Sequence, residues 1–493
     1  MKGRAPPRGL CVSLALSALV GCAAGPNFKR PAAPSINRYT AEALPSQTDS
    51  AAIPLGVAQR FAEGRDLAAE WWTVFHSEAL NSLVKAALQA NPDLKAADAA
   101  LRAARETTLA QKGAFFPTVV AGFNPTRQST PGPGGSSIYS LDTAQLSISY
   151  VPDVFGVYRR QVESLSAQAE ARRFEREATY VTLTSNIVAA AIQEASLRGQ
   201  IDATHETIQL AQLQLEMMQR QQRAGQIGAA EVAIQEATVA QFQAALPPVE
   251  GALALQRHLL TILAGRFPSE EASERFELAA LDLPAELPVS LPSRLVEQRP
   301  DVRAAEAQLQ AASAQIGIAV ANRLPAITLT ASRGSQANEV SKLFKAGSGF
   351  WGVGAQVAET LFTGGALLHT QRAAEAAYEQ AWAQYRSTVL RAFQNVADAL
   401  TAIQNDATVL KAADTAEKAA EKSLKIARQQ WMAGLTGYLG VQVAQLSYQQ
   451  ALLALIQAQA SRLSDTAALF QALGGGWWNR STDSSVASAQ PKP

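Results

Sequence analysis

The sequence is poor in cysteine, in net charge and in long apolar runs. Only 2 cysteines occur among 493 residues, and Cys11 lies in a predicted export signal, so no disulfide can form within the mature chain. The formal net charge is +1 at pH 7, which gives no argument for nucleic-acid binding. No run reaches the roughly 18 apolar residues that a transmembrane helix needs. Such a chain can cross a membrane only as a closed β-barrel.

The chain also lacks the patterns that accompany catalysis or metal binding. Its 4 histidines are scattered without the spacing of metal ligands. There is no cysteine pair, no P-loop and no strand-linked GxGxxG motif. The glycines of 352–354 and 474–476 lack the context of a phosphate-binding loop. These absences predict a protein that is not an enzyme and needs no cofactor or metal.

Residues 1–21 have the features of a lipoprotein signal peptide. Basic residues precede an apolar stretch over 10–20, and the segment ends Leu19–Val20–Gly21–Cys22. This ending resembles the bacterial lipoprotein box, in which the cysteine is lipidated as the first mature residue. An ordinary signal peptide with an incidental Cys22 is the alternative. The resemblance implies the outer membrane, because Ala23 stands where an aspartate would indicate retention in the inner membrane.

The mature sequence is an internal duplication with an offset of about 208 residues. Residues 91–101 are echoed by 299–309, and the register holds without a gap until Pro117 meets Pro325. The fold is therefore predicted to be two copies of one unit. The predicted divisions are a Pro-, Ala- and Ser-rich tether over 22–77, repeat 1 over 78–283, repeat 2 over 284–476, and a disordered tail over 477–493.

Each repeat is predicted to contain two strands followed by two long helices. Strict alternation of apolar with small polar residues, as over 145–150, indicates strands with one apolar and one polar face. The strands are predicted at about 117–130, 138–152, 325–336 and 349–361, with a loop over 131–137. Segments almost free of proline and glycine predict long helices at about 158–222, 229–264, 366–432 and 438–473. The third has a coiled-coil seam with a period of 3.5: Val389, Phe393, Val396, Leu400, Ile403, Ala407 and Leu410.

These elements point to a conduit made by several chains. Four strands cannot close a barrel, which needs about eight, and an open sheet edge is not tolerated in lipid. Several copies must therefore pool their strands. Helices of roughly 95 Å are far longer than a bilayer is thick, so they must extend away from it. A wide barrel continued by a helical tube is a duct.

Five sequence marks resemble those of the outer-membrane factor family, a TolC-like superfamily, and in particular its NodT-type efflux lipoproteins. The marks are residues 22–28, Trp71–Trp72 with Phe75, 287–293, 299–306 and 473–477. The resemblance implies an α plus membrane β-barrel fold, formed as a trimer with a 12-stranded outer-membrane barrel and a periplasmic α-helical barrel. It also implies small-molecule efflux, with a periplasmic adaptor (membrane fusion) protein and an inner-membrane transporter of the resistance-nodulation-division type as partners.

The resemblance further assigns adaptor docking to the glycine-centred helical hairpin tips. The tip residues are Arg223, Gly225, Gln226, Ile227 and Gly228 in repeat 1, and Gly434, Leu435, Thr436 and Gly437 in repeat 2. Gln221 and Gln430 stand where the family often has arginine, and Val443 stands where it often has aspartate. Closure is therefore expected to rely on packing and hydrogen bonds. Asp414, Glu417 and Glu421 form either a solvated helix face or a charged ring in the lumen.

Two other functions remain open from the sequence. A duct for type I protein secretion has the same architecture, although the lipoprotein box and the NodT-like marks favour small-molecule efflux. A structural coiled-coil surface lipoprotein belongs to another class, and the four alternating strands argue against it. The expected location is the outer membrane, with a lipid anchor at Cys22 and a long periplasmic part.

Overall fold

The computed structural model describes residues 23–271 and 273–480. The predicted signal peptide, Cys22 and residues 481–493 lie outside the described residues. The chain forms two compact units, each assembled from three separate segments. Within the described residues, the first unit comprises 23–31, 99–173 and 304–386, and the second comprises 32–98, 174–303 and 387–480.

The first unit contains a four-stranded antiparallel sheet. Its strands are β2 (Thr118–Gly132), β3 (Gly135–Tyr150), β5 (Ala326–Ala337) and β6 (Gly349–Ala358), in the order β2-β3-β5-β6. Each repeat thus contributes one hairpin, and β3 pairs with β5 to join the two. Strand β6 ends three residues earlier than the predicted 361, before the Gly364–Gly365 pair, where both glycines have positive φ.

The strand register places most of the large apolar residues of the four strands on one face. Successive pairings align Val119 with Ile148, Ile148 with Ala331, and Ala331 with Val353. The next row, which points the other way, consists of Val120, Ser147, Ser332 and Gly352. A mainly apolar face and a face of mostly small or polar residues, with Val120 as an exception, therefore run across the sheet, as the alternation predicts.

The first hairpin is longer, and its turn tighter, than the sequence predicts. The predicted loop over 131–137 is too long, because β2 and β3 continue to a turn of only two residues, Pro133–Gly134. Gly135 follows with φ +114°, a conformation that glycine adopts without strain. Within one chain β2 lies at the edge of the sheet, so the missing N–H of Pro131 breaks no second ladder of that sheet.

Two long helices follow the strands in each repeat. They are α3 (Val157–Arg223) and α4 (Ala229–Leu263) in repeat 1, and α7 (Ala366–Met432) and α8 (Tyr438–Ala472) in repeat 2. The longer helix has 67 residues and the shorter 35 in both repeats. All seven predicted seam residues of α7 are buried, so the heptad pattern identified the packed face of this helix. None of the helices in the described residues is long and apolar enough to cross a membrane.

The shorter helices precede the strands in the two repeats. They are α1 (Glu78–Ala90), α2 (Pro92–Lys112), α5 (Pro292–Gln298) and α6 (Pro300–Ala321). Asn91 and Arg299, which directly precede α2 and α6, each donate a hydrogen bond to the end of a returning helix. Asn91 Nδ2 donates to the carbonyl of Leu263 at 3.0 Å, and Arg299 Nη1 donates to the carbonyl of Ala472 at 2.9 Å. Each repeat therefore closes on itself through a donor aimed at a helix-terminal carbonyl that lacks an intrahelical partner.

The second unit corrects two expectations about the ends of the chain. Parts of the predicted tether are packed: β1 (Arg60–Glu63) pairs in parallel with β4 (Glu286–Val289), and the rings of Trp71, Trp72 and Phe75 are fully buried. The predicted disordered tail begins with an ordered turn, because Trp477–Asn479 forms a 3₁₀ helix. The indole N–H of Trp477 donates to the carbonyl of Gln298 at 2.6 Å.

Candidate functional site: hairpin tips and the N-terminal seat

The two predicted hairpin tips have the same backbone geometry. Helices α3 and α7 end at Arg223 and Met432, and two residues later Gly225 and Gly434 have φ angles of +74° and +71°. In both tips the next residue donates its N–H to a carbonyl five residues back, over 2.9 Å: Gln226 to Gln221, and Leu435 to Gln430. This is the glycine-dependent Schellman ending of a helix. Three residues after each of these glycines, Gly228 and Gly437 precede the returning helices.

The side chains at the two tips differ strongly in polarity. Near the second tip, four large apolar side chains are each 61 to 75% exposed: Met432, Leu435, Leu439 and Val443. The first tip instead exposes Arg223 and Gln226, and its Ile227 packs inward against buried neighbours. Exposed apolar patches on a soluble part of a protein mark contact surfaces. The second tip is therefore the apolar one of the pair.

A buried cluster beneath the tips joins the two hairpins. It contains side chains from all four long helices: Met218, Val232, Leu424, Tyr438, Val441 and Ala444. The rings of Trp431 and Tyr438 meet edge to face, with centroids 5.3 Å apart. Contacts of this kind add to the stabilisation that the buried apolar area provides.

A buried glutamine links three of these helices by hydrogen bonds. Gln235 of α4 is fully buried, and its Nε2 donates to the carbonyl of Ala211 on α3 at 2.6 Å. The hydroxyl of Tyr438, on α8, donates to Gln235 Oε1. One turn further along, Gln442 Nε2 donates to Thr238 Oγ1 at 3.0 Å. These bonds tie the second hairpin to the first just behind the tips.

The three predicted acidic residues lie together on α7. Asp414 is mostly buried and forms an ion pair with Lys418 at 2.7 Å. Burial, followed by the charges of Glu421 and Asp414, raises the pKa of Glu417 above its ordinary value. Burial raises the pKa of the Tyr448 hydroxyl on α8, and the charges of Glu417 and Glu421 raise it further. The structure therefore gathers these acids, while their position relative to a lumen stays a prediction.

A groove beside these acids contains residues that the sequence did not single out. It has a volume of about 500 Å³ and is lined by residues of α3, α7 and α8. Arg428 lines it, and burial lowers the pKa of this guanidinium. The Nε of Arg428 and the Oε1 of Gln445 have no hydrogen-bond partner among the described residues. An arginine and a glutamine inside long polar helices carry no periodic signal that could have identified them.

In the first unit, Arg160 binds the segment that immediately follows Cys22. The buried guanidinium of Arg160 donates to the carbonyls of Ala24 and Gly25 at 3.1 and 3.3 Å, and to Asn27 Oδ1 at 2.8 Å. Gly25 has φ +84°, and a Cβ there would lie 2.5 Å from the Cα of Gly317. The Gly-Pro-Asn sequence after the lipoprotein box is thus a fitted segment. Cys22 itself lies outside the described residues.

Comparison with known proteins identifies a family model that covers most of the chain. The model, described as outer membrane efflux protein, matches residues 83–266 and 291–475. The two matched ranges correspond closely to the two repeats and leave out the linker between them.

Individual proteins match over almost their whole length. The toluene efflux pump outer membrane protein TtgF of Pseudomonas putida is 30% identical over 485 residues, which are 96% of this chain and 98% of that protein. The probable efflux pump outer membrane protein TtgC of Pseudomonas putida is 29% identical over 479 residues, 95% of this chain and 96% of that protein. Among solved structures, the outer-membrane channel OprN superposes with a TM-score of 0.83 at 25% identity, covering 92% of this chain and 100% of that one.

Proposed function

Because the chain belongs to the outer membrane efflux protein family, we propose that it forms the outer-membrane duct through which an efflux pump expels small toxic molecules. The duct is a homotrimer in the outer membrane with a long periplasmic helical part. It works with a periplasmic adaptor and an inner-membrane transporter. We assign that transporter to the resistance-nodulation-division class. It supplies the energy, and the duct itself is passive and catalyses no reaction.

The sheet with two unpaired edges is the observation that carries this proposal. Strands β2 and β6 each have a partner on one side only within the described chain. An edge of this kind is costly in lipid, because its N–H and C=O groups find no water there. Three copies of a 4-stranded sheet supply 12 strands, which exceeds the minimum of about eight for a closed barrel. The small polar face then lines the duct, and the apolar face meets the lipid.

Deletion of the gene followed by susceptibility testing is the experiment for this function. The expected result is greater sensitivity to a group of structurally unrelated toxic compounds, restored by the intact gene. The panel should include toluene, because TtgF is named for a toluene efflux pump. Unchanged susceptibility throughout the panel, together with loss of a protein from the culture medium, would favour the alternative of type I protein secretion.

We propose that the adaptor docks on the glycine-bracketed tips. Both tips present exposed backbone at Gly225 and Gly434, where a Cβ would meet nothing within 4 Å. A partner can therefore approach the main chain closely at either tip. The polar first tip and the apolar second tip give that partner two chemically different contacts in every chain, with Arg223 and Gln226 on one and Leu435 and Thr436 on the other.

We further propose that the apolar second tips of the three copies meet and close the duct. Identical apolar side chains pack favourably around a threefold axis, and a narrow apolar constriction excludes water and ions. Val443→Asp is expected to raise the conductance of closed channels in planar bilayers about 10-fold, because three like charges would then face each other. Glu421→Gln should leave that conductance unchanged. Closed channels that open on neutralisation of Glu421, but not in Val443→Asp, would contradict apolar closure.

The acidic residues Asp414, Glu417 and Glu421 are proposed to line the open duct as a charged ring. Three copies would multiply each charge, and the raised pKa of Glu417 is consistent with its crowding by the other two. The preference of open channels for cations over anions should then fall when all three are replaced by their amides. An unchanged ion preference would place these residues on a solvated outer face.

Cys22 is proposed as the site of lipidation. The support is the sequence that precedes it and the fitted segment that follows, which Arg160 holds through Ala24, Gly25 and Asn27. Mass spectrometry of the mature N-terminal peptide is expected to find an acylated Cys22. An unmodified mature N-terminus would refute the assignment.

A further inference from the structure

An arginine lies on the apolar face of the four-stranded sheet. Strand pairing aligns Arg333 of β5 with Leu146 of β3 on one side and with Trp351 of β6 on the other. Residues paired in this way project from the same face of a sheet. Arg333 therefore stands on the face that meets the lipid in the proposed duct.

Arg333 has no partner that neutralises its charge. It is exposed, and it forms neither an ion pair nor a side-chain hydrogen bond among the described residues. On the lipid-facing side of a barrel, an arginine is costly at the bilayer midplane and is tolerated near the interfaces. The level of Arg333 in the membrane therefore decides what it can bind.

Arg333 lies toward the end of the sheet that carries the hairpin turns. The strands join the helices at the other end, where β5 begins after α6 and β6 is followed by α7. Strand β5 extends over Ala326–Ala337, and Arg333 is in its second half. Because the long helices are periplasmic, the second half of β5 lies toward the outer leaflet.

Exposed aromatic side chains mark the same level of the sheet. Trp351 is 78% exposed, and Phe123, one row nearer the turns, is 55% exposed. Phe344, in the loop between β5 and β6, is 83% exposed and lines a groove of about 580 Å³ together with Arg333 and Phe123. Exposed aromatic rings form girdles where the hydrocarbon of a membrane meets the headgroups. Arg333 is therefore at the level of the outer-leaflet headgroups.

The same face becomes polar just beyond these rings. Two rows past Arg333, β3 contributes Asp142, and the following row pairs Arg127 with Ser140. The apolar part of this face thus ends within two rows of Arg333. This end independently places the boundary of the hydrocarbon close to the arginine.

The loop beside the groove supplies a second positive charge. Lys345 directly follows Phe344, is exposed, and forms no ion pair among the described residues. Lys342 of the same loop is instead neutralised by Glu339, at 2.7 Å. Two cations without a counter-charge, Arg333 and Lys345, are therefore associated with the Phe344 ring.

Hydrogen bonds and packing hold this loop in place. Ser348 Oγ donates to the carbonyls of Leu343 and Lys345 at 2.6 and 2.7 Å. The N–H of Gln336, in β5, donates to the carbonyl of Ser348 at 2.8 Å, and the side chain of Leu343 is 2% exposed. The two cations are presented by a paired strand and an ordered loop, so binding a ligand orders little additional chain.

We propose that Arg333 and Lys345 bind a phosphate group of lipopolysaccharide, the phosphorylated lipid of the outer leaflet, while Trp351 and Phe344 contact its acyl chains. A guanidinium offers two parallel N–H donors to phosphate oxygens, and a lysine adds a point charge. The stem of an arginine can lie along apolar surface while its head reaches the headgroups. This site rests on the proposed function, because it requires the apolar face to meet lipid.

Binding of lipid A to the purified, detergent-solubilised trimer tests the site, with native mass spectrometry as the measurement. Lipid A that carries both phosphates is expected to bind about 10-fold more tightly than dephosphorylated lipid A, since each cation near a membrane surface contributes about 1 kcal/mol. Arg333→Gln should lower the affinity for the phosphorylated form about 5-fold. Arg333→Lys keeps the charge and should retain most of that affinity.

Arg127→Gln is the matched control for Arg333→Gln. Arg127 is an exposed arginine of the same face, but it lies three rows nearer the turns, beyond the aromatic rings. Its replacement should leave the affinity for lipid A unchanged. An equal loss in the two variants would show that lipid A follows the total charge of the sheet and would overturn the site at Arg333.

Three further results would overturn the site. They are equal binding of phosphorylated and dephosphorylated lipid A, undiminished binding in Arg333→Gln, and displacement of lipid A by inorganic phosphate at the same concentration, which would indicate a site for free phosphate. Any of them in an intact trimer would leave the proposed duct standing. A chain that yields no trimer would contradict the duct and the lipid site together.

Discussion

Gly476→Ala is expected to abolish assembly of the channel. Gly476 has φ +67°, and a Cβ there would lie 2.2 Å from the carbonyl oxygen of Ala68. The obstructing atoms are backbone, so no side chain can rotate away. Overpacking and the left-handed conformation together should cost roughly 3 to 5 kcal/mol. Heat-modifiable trimer in outer-membrane fractions should fall more than 10-fold.

The expected loss of trimer in Gly476→Ala is large because Gly476 sets the position of the residues that follow it. After this glycine, Trp478 Nε1 donates to Asp66 Oδ1 at 3.0 Å, and Asn479 Nδ2 donates to the carbonyl of Leu67 at 2.7 Å. Arg480 lies over the ring of Tyr180, 4.0 Å from its centroid, and pairs with Glu177. A chain displaced at Gly476 loses these contacts together.

Gly64→Ala is the matched control for Gly476→Ala. Gly64 has φ +73°, but a Cβ there would meet nothing within 4 Å. Only the conformational cost of about 1 to 2 kcal/mol applies, so trimer should persist at a reduced melting temperature. Equal trimer yields from the two variants would show that the contact with Ala68 does not limit assembly.

Tyr438→Phe is expected to make the channel leak. The substitution keeps the ring against Trp431 but removes the hydroxyl that donates to Gln235 Oε1, which leaves a buried acceptor unpaired. An unpaired buried group costs about 1 to 3 kcal/mol. This bond joins the two hairpins of one chain, so any movement that widens the helical end by separating them must break it. The population of open channels should rise roughly 5- to 140-fold, at 1.4 kcal/mol for each factor of ten.

Single-channel recording and entry of a large antibiotic measure this leak. Open probability in planar bilayers should increase, and cells should become sensitive to an antibiotic that is normally too large to cross the outer membrane. Tyr448→Phe is the control, because this tyrosine lies on the same helix and lines the neighbouring groove. Closed channels in Tyr438→Phe, or equal leaks in both variants, would show that the bond with Gln235 does not hold the hairpins.

The regular parts of this fold could be predicted from the sequence because each follows a period. Alternation with period 2 located four strands and assigned their faces, and a period of 3.5 located the buried side of α7 from Val389 to Leu410. The duplication then placed equivalent elements in both repeats. The loop around Pro133–Gly134 was predicted too long because proline and glycine mark a loop in general, whereas here Pro131, Gly132 and Gly135 lie within the ladder.

The irregular contacts could not be predicted, because they depend on single residues far apart in the chain. Strands β1 and β4 are four residues each, too short for a periodic signal, and they pair across more than 200 residues. Gln235 is one of many glutamines in long polar helices, and nothing nearby in sequence indicates that Tyr438 will reach it. The same holds for Arg462, which donates to the carbonyls of Leu55 and Val57 more than 400 residues earlier in the chain.

The hydrogen bond that closes each repeat bears on how the two halves of the sequence could diverge. Asn91 and Arg299 occupy equivalent positions, and each donates to a carbonyl at the end of a returning helix, yet one is neutral and the other is charged. The two halves therefore share the direction of the donor at this position while its chemistry differs. Residue identity therefore understates the common ancestry of the halves. A reconstruction of the ancestral half should weigh this position by hydrogen-bond geometry.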